Sequence, residues 1–396
     1  MVTNLARRAV RLPGPIHPEG GHAISFDSGY AFPEIFPDLT DAARAALNAY
    51  RSESLQYGSP FGMRAMREWI AEYMRKDGAQ AQVDNVLVVN GAKQGLDLIC
   101  RVLTDEGDAV VVTGPTYFTA IPIFRSFGLE FIEVPQDDEG LDVAALRERL
   151  AQRSSAGKKP PKFIYDVPDF HNPSGVTMSL PRRHALLELA ADAGITVVED
   201  SPYRRLRYDG TTLPSLKSLD RNGIVLALGT FSKLMAPGLR IGWVCGDADL
   251  LTRMARLKSD GGTSPMTQRI ILEFFLAGGL EPHLERARAA YAQHRDDMVA
   301  ALRRDLPEAT FAVPQGGYYL WLTFPAGIDS GELADRAYDA GVSVIAGNAF
   351  YAADDPSSAK ARGIPKRHMR LAYSHATPET IATGVKLLAD AFRSLN

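Results

Sequence analysis

The sequence predicts an α/β fold, a mostly parallel sheet flanked by helices, followed by a smaller α+β unit. Three observations carry this expectation. Between residues 85 and 245 short apolar runs alternate with helix-like stretches, the rhythm of strand–helix–strand units. The runs are continuously apolar rather than alternating, as strands buried on both faces must be. Beyond residue 245 the pattern changes to one long charged helical stretch and several shorter strands.

The runs at residues 86–89, 109–112, 131–134, 163–165, 195–198 and 224–228 are read as strands. Helices are expected at 95–103, 142–150 and 181–193, the last opened by Pro181 and stopped by Gly194. Residues 151–161, with Ser154, Ser155, Gly157 and two prolines, are read as a surface loop. In the C-terminal part the helical stretch covers 281–304, strands are expected at 311–313, 318–323, 342–345 and 369–372, and helices at 331–340 and 378–395. No internal repeat is evident, and residues 1–85 are too short and too rich in Pro and Gly for a helix-turn-helix domain.

Composition excludes several classes of function. The 396 residues carry 44 basic and 47 acidic side chains, a net charge of −3, so no basic excess exists to coat nucleic acid. No apolar run approaches the roughly 20 residues of a membrane span. Cys100 and Cys245 both lie in apolar runs and read as free thiols of a reducing, cytoplasmic compartment. No C-x-x-C or H-x-x-x-H spacing occurs, so no metal site is expected. The first 14 residues carry Arg7, Arg8 and Arg11 without an acid; a flexible arm is preferred to a transit peptide because no apolar signal core follows.

In an open parallel sheet the ligand crevice lies beyond the carboxyl ends of the strands, so polar residues there are the candidates. Gly91, Ala92 and Lys93 follow one strand and open a helix, where backbone N–H groups can meet an anion; a simple tight turn is the alternative. Asp200 ends another strand with Tyr203 close behind, and a carboxylate there needs a cation or a donor; a helix cap or ion pair is the alternative. Lys233 follows the run 224–228 within Gly229-Thr230-Phe231-Ser232-Lys233. A lysine delivered from a buried strand can be desolvated for Schiff-base chemistry, though an exposed loop lysine is the commoner fate. Thr230, Ser232 and Arg240 form a set suited to a phosphate. Asn172-Pro173-Ser174-Gly175 is a turn signal, and Arg370 sits in an alternating strand where its fork could grip a carboxylate or point to solvent.

Together these pieces resemble fold-type I pyridoxal-phosphate enzymes of aminotransferase class I/II. The matching elements are Asn172-Pro173-Ser174-Gly175, Asp200 with Tyr203, Ser232-Lys233 with Arg240, and Arg370. They are spaced by 28 residues from Asn172 to Asp200, 33 to Lys233 and seven to Arg240. The likeness is to the branch of 2-aminoadipate and kynurenine aminotransferases, and also to the aminotransferase-like half of MocR-type regulators.

The resemblance implies a seven-stranded, mostly parallel sheet in a large cofactor domain over residues 50–285. A small domain would be built from 1–49 and 286–396, with an N-terminal arm. It implies an amino group moved between an α-amino acid and a 2-oxo acid, through a Lys233 aldimine of pyridoxal phosphate and a pyridoxamine phosphate intermediate. Asp200 would pair with the ring nitrogen, Asn172 and Tyr203 with the phenolic oxygen, and Tyr117 would stack on the ring. Gly91, Ala92, Lys93, Thr230, Ser232 and Arg240 would hold the phosphate. Tyr57 would reach the partner's phosphate in a homodimer, and Arg370, Asn172 and Gly29 would meet the substrate.

Two departures from the family pattern stand out. Ala92-Lys93 replaces a common Ser-Gln in the phosphate loop, and Asp27-Ser28-Gly29-Tyr30-Ala31 replaces a Gly-Gly-Leu-Pro run. The side-chain pocket is expected from residues 25–36, Met63, Arg64 and 260–264, with an acidic or an aromatic substrate both open. Rival readings are an oxidase, lyase or cyclase using the same site, and a cofactor-sensing module without activity.

Overall fold

The computed structural model describes residue 8, residues 24–352 and residues 366–395. Of the expected N-terminal arm, only Arg8 falls within them.

Strand β1 (Ile24–Ser25) belongs to the smaller unit. The central sheet contains β2 (Val86–Val89), β3 (Ala109–Gly114), β4 (Glu130–Asp137), β5 (Gly140–Leu141), β6 (Phe163–Asp166), β7 (Thr196–Asp200), β8 (Val225–Thr230) and β9 (Gly242–Cys245). Their order is β2-β9-β8-β7-β6-β3-β4-β5. Six coincide with the strands read from the sequence, β9 makes up the seven that the resemblance implies, and two-residue β5 adds an eighth by folding back on β4. β9 runs antiparallel to both its neighbours, whereas β3, β4, β6, β7 and β8 pair in parallel.

Continuous hydrophobicity has the expected cause. Val110, Val112, Phe163, Tyr165 and Val198 join one apolar cluster, while the intervening Val111, Ile164 and Val197 join a second on the other face. Successive side chains of a strand point to opposite faces, so a sheet covered on both sides needs apolar residues at every position.

Helices follow the sequence signals closely. Leu180–Ala193 is capped by Ser179, whose side chain accepts from Arg182 N–H, and Gly194 ends it in the left-handed conformation with φ of 64°. Val143–Ser155 is capped by Asp142, which corrects the expected loop at 151–161: its first five residues are the last turns of this helix. Arg153 holds those turns through an ion pair with Glu130 at 3.1 Å, and Gly157 supplies the left-handed exit. The helices Thr40–Ala49, Arg51–Leu55 and Arg64–Lys76 carry no counterpart in the sequence reading.

The smaller unit holds β10 (Tyr319–Thr323), β11 (Val342–Ser343), β12 (Ile345–Ala346) and β13 (His368–Ala372). They form a three-stranded sheet β10-β13-β12 and a separate parallel pair, β1 with β11. The strand expected at 311–313 is absent. Only an isolated bridge joins Thr310 to Thr323, and Pro314 brings no N–H with which to extend it. The run 342–345 splits because its two halves serve different sheets.

Helix Leu280–Asp305 links the two cores. Leu280, Leu284, Ala287 and Tyr291 pack into the large cluster, whereas Met298, Val299, Ala301 and Leu302 pack into that of the smaller unit. Cys100 and Cys245 are free and buried. Among the described residues, no helix is long and apolar enough to cross a membrane, and no group of three His, Cys, Asp or Glu side chains could hold a metal ion.

A buried ionic network sits beneath the loops. Arg183, fully buried, donates to Asp169 at 2.8 Å and to the carbonyls of Met178, Pro168 and Pro214. Arg204 joins Asp169 to Asp77. Burial penalises the Asp169 carboxylate, yet Arg183 and Arg204 hold it below the usual carboxylate range. Removing one partner strands the rest, so Arg183→Ala is expected to cost about 3–5 kcal/mol in urea unfolding; a loss below about 1 kcal/mol would show the network to be dispensable.

Candidate active site

Because β9 reverses direction, the carboxyl ends of β2, β3, β6, β7 and β8 share one edge of the sheet. The residues just beyond that edge are Gly91, Tyr117, Asn172, Asp200 and the Thr230–Lys233 turn. Arg240 arrives from the loop before β9, Arg370 from β13, and Gly29 from the segment after β1.

One part of this edge is a bare donor cradle. Gly91, with φ of 81°, caps the helix Ala92–Leu103, so the first N–H groups of that helix are open to an anion. Arg240 donates to the Asn90 carbonyl at 3.0 Å and to Ser232 Oγ at 3.4 Å. Thr230 Oγ1 donates to Ser232 Oγ at 3.0 Å and accepts from Ser232 N–H. The floor tolerates no side chain: a Cβ on Gly91 would lie 2.6 Å from Arg240 Nη2, and one on Gly242 would lie 2.9 Å from the Ala92 nitrogen. Lys93 stands at the first turn; desolvation of its ammonium, then the Arg240 and Lys233 cations, hold it below the usual lysine range.

Asp200 is 5% exposed, accepts from Tyr165 at 2.8 Å through Oδ2, and has no partner at Oδ1. Burial pushes its carboxyl up to about 6, against the opposing Tyr165 hydrogen bond. An ionised carboxylate here asks for a cationic N–H donor.

The third part is a pair of cations met by neutral oxygens. Lys233 Nζ donates to the Gly29 carbonyl and lies 5.3 Å from the centre of the Tyr318 ring. Burial holds its ammonium below the usual range, and the Arg370 and Arg240 charges add to this. Arg370, only 1% exposed, donates to Asn172 Oδ1 at 3.0 Å and to the Asp27 carbonyl. Its guanidinium carbon lies 4.2 Å from the ring centre of Tyr319, 5.1 Å from that of Phe350 and 5.3 Å from that of Phe118. Its Nε is buried without a partner. Among the described residues no acid pairs with Lys233, Arg240 or Arg370. Tyr203 donates to the Tyr319 hydroxyl at 3.2 Å, and a Cβ on Gly29 would fall 2.0 Å from that hydroxyl.

Other expected residues lie elsewhere. Tyr57 is 90% exposed on its own chain. Arg64 pairs with Glu68 on an exposed helix face, and buried Met63 bonds through its N–H to Gln268. Asp260 accepts from Asn90 and Gln94 and so braces the Gly91 turn. The sequence reading missed Tyr165, Phe118, Tyr319 and Phe350. Tyr319 had a weak signal, since it follows Gly316-Gly317 at the start of an expected strand.

The donor set fits the cofactor that the resemblance implies. An open helix N-terminus, two hydroxyls and an arginine without an acid suit a phosphate. Asp200 Oδ1, buried and unpartnered, suits a protonated ring nitrogen, and Lys233 has the desolvated amine that an aldehyde needs.

Comparison with known proteins agrees. The family model described as aminotransferase class I and II matches residues 26–388. The aromatic-amino-acid aminotransferase 1 of Thermococcus litoralis is 36% identical over 95% of this chain and 89% of its own. The 2-aminoadipate transaminase of Thermus thermophilus is 33% identical over 94% and 90%. A crystal structure of Pyrococcus horikoshii kynurenine aminotransferase in complex with PMP superposes with a TM-score of 0.89 at 37% identity, covering 95% of this chain and 92% of that one.

Asp200 also sets a pH dependence. Its folded-state value, raised to about 6 from 3.8, means that folding favours the protonated form. Its contribution to stability is therefore full below pH 4 and lost as pH rises through 6. Asp200→Asn is expected to stabilise the cofactor-free chain at pH 7.5 by up to about 3 kcal/mol, with no advantage left at pH 4. Urea melts at the two pH values check this; an advantage independent of pH would remove the argument.

Proposed function

The chain belongs to the class I and II aminotransferases and is a pyridoxal-phosphate-dependent transaminase acting on amino acids and 2-oxo acids; from that premise we propose how its residues divide the work. The cofactor, when bound, supplies an aldehyde that takes up amino groups and a ring that accepts electron density. Gly91, Ala92, Lys93, Thr230, Ser232 and Arg240 hold its phosphate. Asp200 holds a proton on its ring nitrogen, Asn172 and Tyr203 orient its phenolic oxygen, and Tyr117 covers its face.

Lys233 would hold the cofactor through Nζ, at the aldehyde that the group supplies. Its Nζ would move the proton at the substrate Cα, a role suited to an amine whose basicity burial lowers. Arg370 binds the α-carboxylate, with its unpartnered Nε as the open donor. Gly29, whose missing Cβ makes room for the Tyr319 hydroxyl, would meet the substrate through its backbone. The division into a large domain over 50–285 and a small one from 1–49 and 286–396 places the substrate between them. A reducing, cytoplasmic setting is consistent with the two free cysteines.

The donor is an aromatic α-amino acid. The observation carrying this is the ring set around Arg370, where Phe118, Tyr319 and Phe350 lie within 5.3 Å of its guanidinium carbon. A carboxylate gripped there leaves its side chain among aromatic surfaces. A screen of purified protein with 2-oxoglutarate as acceptor is expected to give kcat/KM about tenfold higher for aromatic donors than for 2-aminoadipate or aspartate, the size of one buried ring contact. Preference for either acidic donor would overturn the assignment.

The active unit is a homodimer in which Tyr57 reaches the partner's phosphate. On its own chain Tyr57 is 90% exposed, and Leu47, Tyr50, Leu55 and Leu276 are exposed beside its helical neighbourhood. An apolar group of this kind is what a subunit contact covers. Tyr57→Phe keeps the ring and removes the hydroxyl. It is expected to weaken cofactor retention about tenfold, the worth of one hydrogen bond to a charged group. Equilibrium dialysis checks this, and unchanged retention argues against a contact with the phosphate.

A further inference from the structure

Tyr319 enters the proposed function only as one ring of the aromatic set around Arg370, yet it touches both halves of the site. It opens β10 opposite β13, two residues out of register with Arg370, which pairs with Trp321, so Tyr319 and Arg370 are diagonal neighbours on one face. Its ring backs the Arg370 guanidinium at 4.2 Å, and its hydroxyl accepts from Tyr203 at 3.2 Å. The side chain is 4% exposed. A Cβ on Gly29 would fall 2.0 Å from its hydroxyl, so the segment after β1 leaves room for that oxygen.

We propose that Tyr319 is a positioning residue that couples the carboxylate clamp to the phenolic side of the cofactor, backing Arg370 with its ring and directing Tyr203 with its hydroxyl. The inference rests on the proposed role of Tyr203 at the phenolic oxygen. A tyrosine hydroxyl has one proton to donate and can accept as well. In the structure Tyr203 spends its proton on Tyr319. When Tyr203 donates to the cofactor instead, Tyr319 is released to donate to Tyr203, forming a chain of two hydrogen bonds that strengthen each other.

The surroundings favour that direction. Burial raises the cost of ionising Tyr319, but the Arg370 and Lys233 cations outweigh it and hold the hydroxyl below the usual phenol range, which makes it the better donor. The Tyr203 hydrogen bond adds to this lowering, and Tyr319 in turn raises Tyr203, Tyr117 and Tyr373 around it. Burial comes first in raising the Tyr203 hydroxyl, with Tyr319 next.

The test is a spectrophotometric pH titration of the visible cofactor band in the holoenzyme, for the parent, Tyr203→Phe, Tyr319→Phe and the double variant. A hydrogen bond donated to the phenolic oxygen draws off charge that the nearby protonated Lys233 nitrogen otherwise shares, so losing it moves the midpoint upward. Tyr203→Phe is expected to raise the midpoint, Tyr319→Phe to raise it by about half a pH unit, and the double variant to match Tyr203→Phe alone. If Tyr203→Phe shifts the midpoint and Tyr319→Phe does not, the inference fails while the role of Tyr203 stands. If Tyr203→Phe leaves the midpoint in place, the underlying reading fails. Additive shifts in the double variant mean that Tyr319 acts independently, which also overturns the coupling. For the ring, Tyr319→Phe is expected to keep the donor KM within about twofold, and Tyr319→Leu to raise it at least about threefold, the value of one desolvated cation–ring contact. An unchanged KM in Tyr319→Leu, with Arg370 intact and the chain folded by circular dichroism, removes the clamp half of the proposal.

Discussion

Lys233, Arg240 and Arg370 converge on the carboxyl edge of the central sheet, and among the described residues none of them meets an acid. Beside them Asp200 keeps one carboxylate oxygen unpartnered in a nearly dry setting. Leaving charge uncompensated is costly for a folded chain. The rest of the architecture is arranged so that the cost is borne where it serves binding. The apolar clusters on both faces of the sheet and the saturated network of Asp169, Arg183, Arg204 and Asp77 hold the frame rigid.

What meets the cations in the meantime explains how they stay available. Lys233 rests on the Gly29 carbonyl, and Arg370 on the Asp27 carbonyl, Asn172 and three aromatic faces. Carbonyl dipoles and ring quadrupoles partly satisfy a cation without neutralising it. An incoming carboxylate or aldehyde displaces a neutral acceptor, a smaller loss than breaking a buried ion pair. Both carbonyls come from one short segment, so a single stretch of backbone faces Lys233 and Arg370 together. The charge of −3 for the whole chain is compatible with this, because the cationic surplus is local to one edge.

Much of the fold was legible. The inner strands β2, β3, β6 and β8 coincide with apolar runs because a doubly covered strand has few polar positions, and Ser179, Asp142 and Gly194 mark helix ends by direct hydrogen bonding or a left-handed turn. Errors fell where local signals were weak or were overruled. Serines at 154 and 155 read as loop, yet the ion pair of Arg153 with Glu130 keeps the helix going. Residues 311–313 read as strand, but the neighbouring edge offers a single bridge before Pro314.

By itself the sequence determined the order of elements, the family, and the residue types able to carry a transamination, since Asn172, Asp200, Lys233, Arg240 and Arg370 sit at fixed intervals along the chain. Tertiary structure decided which of them face one another and what else stands among them. Tyr165 and Asp200 are 35 residues apart, Tyr203 and Tyr319 are 116 apart, and Lys233 and Gly29 are 204 apart. No local pattern encodes such pairings. They arise because parallel strands bring distant carboxyl ends to one edge and the smaller unit lays β10 and β13 across it, so the partners of each charge are set by packing and not by neighbours in the chain.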